Sequence, residues 1–325
     1  MKHINVRLIL LHILFLLATQ LGYSQDTDTL LRKLDSLHRE EQKPENKRPP
    51  DIDEEDYTSQ TNITPKGYVV LLGTNIVQEI TGPFHTSGKT WLKVAGFVAL
   101  EGALLFADKP IQKASYDFMQ RNPGLRNTSQ YITNFGDSYQ GIVLLAFGAY
   151  GYIAKNNKVK TTTLLATQSY IASAAMSTLV KMAVGRYRPR SFEQGQEDNL
   201  VFRGPGWGTR GSSFPSGHTI AAFSAATVFA QEYRDQPLVP IIAYSAATLV
   251  GLSRLTQNAH WATDVFAGAA LGYVTGKQVV RNYHRYARLR NSQKNKTSLM
   301  INLHYQGGVF MPQLVYRFYG VAGSR

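Results

Sequence analysis

Between residues 91 and 280 the chain runs as six long apolar segments separated by short polar connectors, a pattern that leaves little but a helical bundle open to it. The segments fall at about 91–107, 140–154, 161–184, 216–231, 238–252 and 261–280. Several are rich in Ala, Gly, Ser and Thr, which lets helices approach closely. Some are shorter than the ~20 residues that span a bilayer, so the buried helices of a soluble bundle are the alternative to membrane spans.

Charge placement favours the membrane. Lys155, Lys158 and Lys160 follow the second segment, and Lys277, Arg281, His284, Arg285, Arg288 and Arg290 follow the sixth, where the positive-inside rule makes them cytoplasmic. The junctions after Val184 and before Trp261 then face the other side. At the N-terminus Lys2 and Arg7 precede an apolar run, which reads as an export signal or an uncleaved anchor over residues 1–24. A cleaved leader followed by six spans would put the basic loops outside. An uncleaved segment, or a further membrane-associated stretch at 67–80, restores the parity, and a soluble periplasmic bundle removes the difficulty.

The expected organisation is a polar linker over 25–65, with a short helix near 31–39, a helical domain over 66–290, and a C-terminal extension over 291–325. In the extension, Leu299, Ile301, Leu303 and Tyr305 alternate with polar or less apolar residues before Gly307 and Gly308, the pattern of a β-hairpin. The chain has no cysteine, which excludes disulfides, thiolate metal sites and cysteine nucleophiles. Its net charge of +13 suits anionic partners of several kinds. Nucleic acid is the poorest fit, because the basic residues sit at helix ends and no aromatic-basic module repeats.

Three stretches carry residues fit for chemistry. In KMAVGRYRP, Lys181 and Arg188 stand seven apart, about two helical turns, and would share a face if the helix continued that far. Two converging cations match a phosphoryl group, whereas the plain alternative is a solvated basic helix end. In GSSFPSGHT, Ser216 can cap the next helix, leaving amides near Gly217 aimed at an anion within reach of His218. In SRLTQNAHWATD, His260 and Asp264 are four apart on a helix beginning near Asn258, so the carboxylate can hold Nδ1–H and free Nε2 to attack. Arg254 adds a third cation. No second histidine lies at metal-ligand spacing from His218 or His260, and no metal or other cofactor is expected. Arg186, Arg203, Trp207 and Arg210 are candidate substrate contacts in the neighbouring loops, Trp207 serving equally well as a local core anchor.

Taken together, Lys181 to Pro189, Pro215 to His218, and the Ser253, Arg254, His260, Asp264 series resemble the type 2 phosphatidic acid phosphatase superfamily. That superfamily includes lipid phosphate phosphatases, bacterial nonspecific acid phosphatases and vanadium haloperoxidases. The resemblance implies an all-α bundle of about six core helices, embedded in a bacterial inner membrane with its site facing the periplasm. It also implies metal-independent hydrolysis of a phosphomonoester or pyrophosphate. In that chemistry Lys181, Arg188, Arg254, Ser216 and the Gly217 amide bind phosphate oxygens, His260 attacks phosphorus, Asp264 orients it, and His218 is the acid and then the base. The implied partner is an anionic phospholipid or an isoprenoid phosphate or pyrophosphate. A soluble periplasmic acid phosphatase, a vanadium-dependent haloperoxidase and a non-catalytic membrane scaffold are the competing expectations.

Overall fold

A computed structural model describes Tyr57 and residues 62–82, 87–193, 196–205, 212–294, 297–306 and 309–318. The N-terminal signal or anchor, the 31–39 helix, most of the linker, Trp207 and Arg210 lie outside the described residues.

Eight α-helices occur among the described residues: α1 Pro65–Thr81, α2 Gly88–Arg121, α3 Pro123–Asn134, α4 Ser138–Ile153, α5 Asn157–Val184, α6 Gly217–Glu232, α7 Leu238–Thr256 and α8 Ala262–Lys294. A hairpin follows, β1 Thr297–Gln306 against β2 Val309–Phe318, antiparallel with Thr297 opposite Phe318. All six expected segments are helical. The two further helices are α1, which covers the stretch offered as an extra membrane-associated segment, and α3, whose polar sequence gave no apolar signal.

Local chemistry sets the ends that matter. Asn156 caps α5 by accepting the Val159 amide at 3.1 Å. Gly185 stops α5 in the left-handed conformation, φ 63°, with its amide returned to the Lys181 carbonyl, and its missing side chain lets the Gly204 backbone lie against it. Lys181 is therefore helical while Arg188 sits in extended backbone beyond the stop, so the two do not share a helical face as expected. Likewise α8 starts at Ala262, not near Asn258. Asp264 reaches back to accept the Trp261 amide at 2.8 Å, the N3 half of a capping box, leaving His260 in the turn just before the helix.

Helix α8 lies along α6 through Gly268, Gly272 and Gly276, spaced four apart on one face. A Cβ on Gly268 would stand 2.8 Å from the Ser216 carbonyl oxygen, one on Gly272 2.5 Å from that of Ile220, and one on Gly276 would meet that of Ser224. This stripe brings the start of α6 beside the start of α8, where the Ser216 amide donates to the Asp264 carbonyl at 2.9 Å. Gly272→Val should therefore force the two helices apart. An overpacked contact costs about 1–3 kcal/mol, so the unfolding midpoint of the purified protein should fall by roughly 3–10 °C. An unchanged midpoint would mean that the contact is loose.

The bundle is polar within and apolar without. Buried Thr161, Thr163, Gln168, Ser169, Ser173 and Ser177 line α5, and Thr163 satisfies its hydroxyl on the Val159 carbonyl one turn back at 2.8 Å. Outward stand Leu92, Val98 and Phe106 of α2, Leu145, Tyr152 and Ile153 of α4, and Leu238, Ile241 and Ile242 of α7. Among the described residues α2 and α7 are long and apolar enough to cross a membrane. The basic run expected as a loop after residue 280 continues α8 instead. There His284 and Arg285 are buried, and His284 meets Glu232 of α6 at 2.8 Å.

Candidate active site

The three motifs converge at one end of the bundle. Lys181, near the C-terminus of α5, extends to the start of α6, where a Cβ on Gly217 would stand 3.1 Å from its Nζ. Arg188, in the extended segment, donates to the Ser212 hydroxyl and carbonyl, each at 3.2 Å. Arg254, in the last turn of α7, is buried and held through Nη1 by Thr133 and Gln257, each at 3.0 Å, and its buried Nε has no acceptor among the described residues. These three cations lie close enough to influence one another and His218 electrostatically. Each comes from a different segment of the chain, so the cationic cluster is a product of the fold and not of one basic run.

Ser216 precedes α6, but its side chain caps no amide, contrary to expectation. It is buried and accepts the Thr219 hydroxyl at 2.8 Å. The first-turn amides of α6 still lack intrahelical acceptors by construction, which is the property an anion exploits at a helix start. His218, one residue into α6, is partly exposed with Nε2 3.8 Å from the Asp137 carboxylate.

His260 is buried, with Nδ1 3.5 Å from Asp264 Oδ2 and no hydrogen bond to any described residue. That separation is slightly long for a hydrogen bond, and such contacts commonly tighten when substrate binds. The carboxylate itself is fixed: Oδ2 accepts the Ser213 hydroxyl and the Trp261 amide, and Oδ1 accepts Arg186 Nη1 at 2.7 Å. The turn holding His260 is pinned in addition by Trp261, whose indole donates to the Tyr187 carbonyl at 2.9 Å.

Burial pushes the His260 imidazole down to about 3, outweighing the raising effect of Asp264, so it is neutral and nucleophilic at physiological pH. A folded pKa below the ordinary 6.5 means that this group's contribution to stability is complete above about pH 6.5 and is lost as the pH falls toward 3. The native protein should accordingly lose more stability between pH 6.5 and 4 than His260→Gln does. Equal acid dependence of the two would contradict a neutral buried imidazole.

Arg186, a candidate substrate contact from its place beside the first motif, is 1% exposed and bound to Asp108 and Asp264, two carboxylates from distant segments that meet it in the interior. Arg203 is exposed in the loop after the Arg186–Phe202 bridge, with its amide bound to the Gly185 carbonyl.

Several residues at the site carry no motif. The turn between α3 and α4 brings Gly136 so close that a Cβ there would stand 2.6 Å from Val250 Cγ1 and 3.0 Å from the His218 carbonyl oxygen, and it delivers Asp137 to His218. Helix α3 supplies Ser129 and Thr133, which bond Thr256 and Ser253 at 2.6 and 2.7 Å and so lock the end of α7 that carries Arg254.

The sequence model of the PAP2 superfamily matches residues 162–288, the interval from α5 to α8 that holds all three motifs. The chain is 30% identical over 185 residues to a lipid A 1-phosphatase of Rhizobium etli, covering 52% of this chain and 74% of that protein. It is 31% identical over 163 residues to a lipid A 1-phosphatase of Rhizobium johnstonii, covering 46% and 64%. With a lipid A 1-phosphatase of Porphyromonas gingivalis it shares 45% identity over 71 residues, which is 22% of this chain and 16% of that protein. The chain thus spans less than two thirds of the length of the latter two relatives. With the family model over the motif region and a relative matched across most of its length, the chain belongs to the PAP2 superfamily.

Proposed function

We propose that this protein is a membrane-embedded phosphatase that removes phosphate from lipid phosphates through a phosphohistidine on His260. The observation that carries the reading is a neutral, buried imidazole backed by an ionised carboxylate, beside a cluster of Lys181, Arg188 and Arg254 at a helix N-terminus.

In this reading the phosphoryl oxygens are held by the three cations, by Ser216 and by the Gly217 amide. The Nε2 lone pair of His260 forms the N–P bond in line as the O–P bond to the leaving alcohol breaks. His218, which burial and the neighbouring cations push down to about 4 in the free protein, takes up a proton as the anionic substrate offsets those cations and gives that proton to the leaving alcohol. The positive charge gained by the imidazole is balanced by Asp264. His218, now neutral, takes a proton from water, whose oxygen attacks phosphorus and releases inorganic phosphate with His260 restored. No step in this sequence calls for a metal.

The membrane placement draws on the apolar outer faces of α2, α4 and α7, which would otherwise present large apolar areas to water. The names of the relatives make lipid A and similar glycolipid phosphates the first substrates to try, ahead of phosphatidylglycerol phosphate, phosphatidate and undecaprenyl pyrophosphate. We further infer a leader or anchor over residues 1–24, a linker to 65, the phosphatase domain over 66–290 and an inner-membrane site open to the periplasm.

The test is release of inorganic phosphate in EDTA from those four lipids and a soluble aryl phosphate, in mixed micelles. Turnover of a lipid that disappears in His260→Ala supports the reading. Equal turnover of the soluble ester moves the assignment to a broad periplasmic phosphatase, and absence of release from all five substrates rejects hydrolysis.

A further inference from the structure

The reading of His260 as nucleophile leaves a buried charge cluster unexplained. Arg186 is walled by the rings of Phe202 and Trp261, whose centroids lie 5.6 and 5.5 Å from its guanidinium carbon. Its Nη1 donates to Asp264 Oδ1 at 2.7 Å and to the Thr263 hydroxyl at 2.6 Å. Its Nη2 donates to Asp108 Oδ2 at 2.6 Å and to the Asn199 carbonyl at 2.9 Å, and Nε donates to the same carbonyl at 3.1 Å. Asp108, on α2, is fully buried and also accepts the Thr263 amide at 2.9 Å and hydroxyl at 2.8 Å, so each of these hydrogen-bond partners donates to it, the pattern a carboxylate takes.

Charge arithmetic gives this cluster a purpose beyond packing. Asp264 paired with Arg186 alone is neutral and would offer His260 little electrostatic support as the imidazole becomes cationic. With Asp108 included, the side chains of Asp108, Arg186 and Asp264 sum to −1 in a place from which water is excluded, where charge differences act strongly, and the carboxyl of Glu101 on α2 lies within electrostatic reach of all three. Arg186 would then fix the Asp264 carboxylate in place without cancelling its effect.

Resting on the phosphohistidine reading, we propose that Asp108 and Arg186 are positioning residues for the nucleophile. Arg186 orients Asp264, and Asp108, from a helix that carries none of the three motifs, keeps the cluster anionic so that the phosphorylated imidazole is stabilised.

The experiment is rapid-quench measurement of phosphoenzyme formation and decay on the best lipid substrate. It compares the unaltered protein with Asp108→Asn, Asp108→Glu and the double variant Asp108→Asn with Arg186→Gln. Asp108→Asn keeps shape but makes the cluster neutral, and formation should slow by roughly 10- to 100-fold, the scale seen when an outer partner of a catalytic group is lost. Decay should not slow, and KM should stay within a few-fold. Asp108→Glu, which keeps the charge, should restore most of the rate. The double variant returns the cluster to −1 but frees Asp264 from Arg186, so it should form phosphoenzyme no faster than Asp108→Asn alone, which separates positioning from charge.

Formation at the unaltered rate in Asp108→Asn overturns the proposal, as does equal loss in the Asn and Glu variants or a double variant restored to the unaltered rate, which would leave Arg186 no positioning role. If the unaltered protein forms no phosphoenzyme on His260, the phosphohistidine reading itself fails and takes this inference with it.

Discussion

Replacement of His260 by Ala is expected to lower turnover by on the order of 10^4-fold or more, because removing a nucleophile leaves only binding and electrostatic stabilisation behind. The phosphoenzyme should vanish with it, whereas KM for a substrate held by Lys181, Arg188 and Arg254 should change little. Asp264→Asn provides the informative comparison. All four polar contacts of the Asp264 side chain described above bring donors or the imidazole toward a carboxylate, from Ser213, the Trp261 amide, Arg186 and His260. An amide must turn its NH2 toward one set of those donors and lose that contact. It also weakens the capping of α8.

The two variants should therefore separate in stability as well as rate. Asp264→Asn should be inactive and less stable, since Arg186 keeps Asp108 but loses its second carboxylate, and a buried donor stranded at position 264 costs about 1–3 kcal/mol. His260→Ala should be inactive with a smaller loss. Thermal unfolding of the two proteins beside quench-flow detection of acid-labile, base-stable phosphate on the enzyme makes the check. Retention of even one per cent of turnover in His260→Ala would remove that residue from the nucleophile's role.

The parts of this site that were legible in the sequence are those in which neighbours in the chain act together. Pro215 to His218 surround one helix start, and His260 and Asp264 frame another, so local periodicity was enough to bring them into view. Lys181 and Arg188 do come together in the fold, but not by the shared helical face their spacing suggested. Gly185 ends the helix between them, and it is the turn of the chain, not a shared face, that separates their backbones.

What could not be read depends on approaches across long stretches of chain. Arg186 beside a basic motif looks like surface charge until Asp108, 78 residues away, and Asp264 are brought against it. Asp137 reaches His218 because Gly136 lets the α3–α4 turn touch α6, and a single Gly-Asp pair in a sequence says nothing of that. Helix α3 was missed for a related reason. Its role is to bond the end of α7 through Ser129 and Thr133, and polar residues with partners elsewhere leave no long apolar run to mark it. Boundaries failed in the same way at α8, where polar and basic residues past 280 looked like a loop but are held in helix by partners such as Glu232.

Arg254→Gln should show the second large effect, a loss of roughly 10^2- to 10^3-fold in kcat, the scale expected for removing a preorganised donor from developing phosphoryl charge. The geometry allows this to be dissected. Thr133 and Gln257 both accept from Nη1, and Gln257 is itself tied to the Ser129 carbonyl at 2.9 Å. The buried Nε, which has no acceptor among the described residues, is left to meet an anion. Arg254→Lys keeps a positive charge but loses the planar fork, so it should recover binding more than turnover and fall between the native protein and Arg254→Gln. Thr133→Val removes one brace while leaving the charge untouched, and about a tenfold fall in kcat with an unchanged affinity for inorganic phosphate would show that aim matters as well as charge. Inhibition by phosphate provides the second readout, since Arg254→Gln should weaken it together with kcat. If Arg254→Lys matches the native protein and Thr133→Val is silent, Arg254 acts only as diffuse positive potential. A loss below tenfold in Arg254→Gln would confine the oxygen contacts to Lys181, Arg188 and the start of α6.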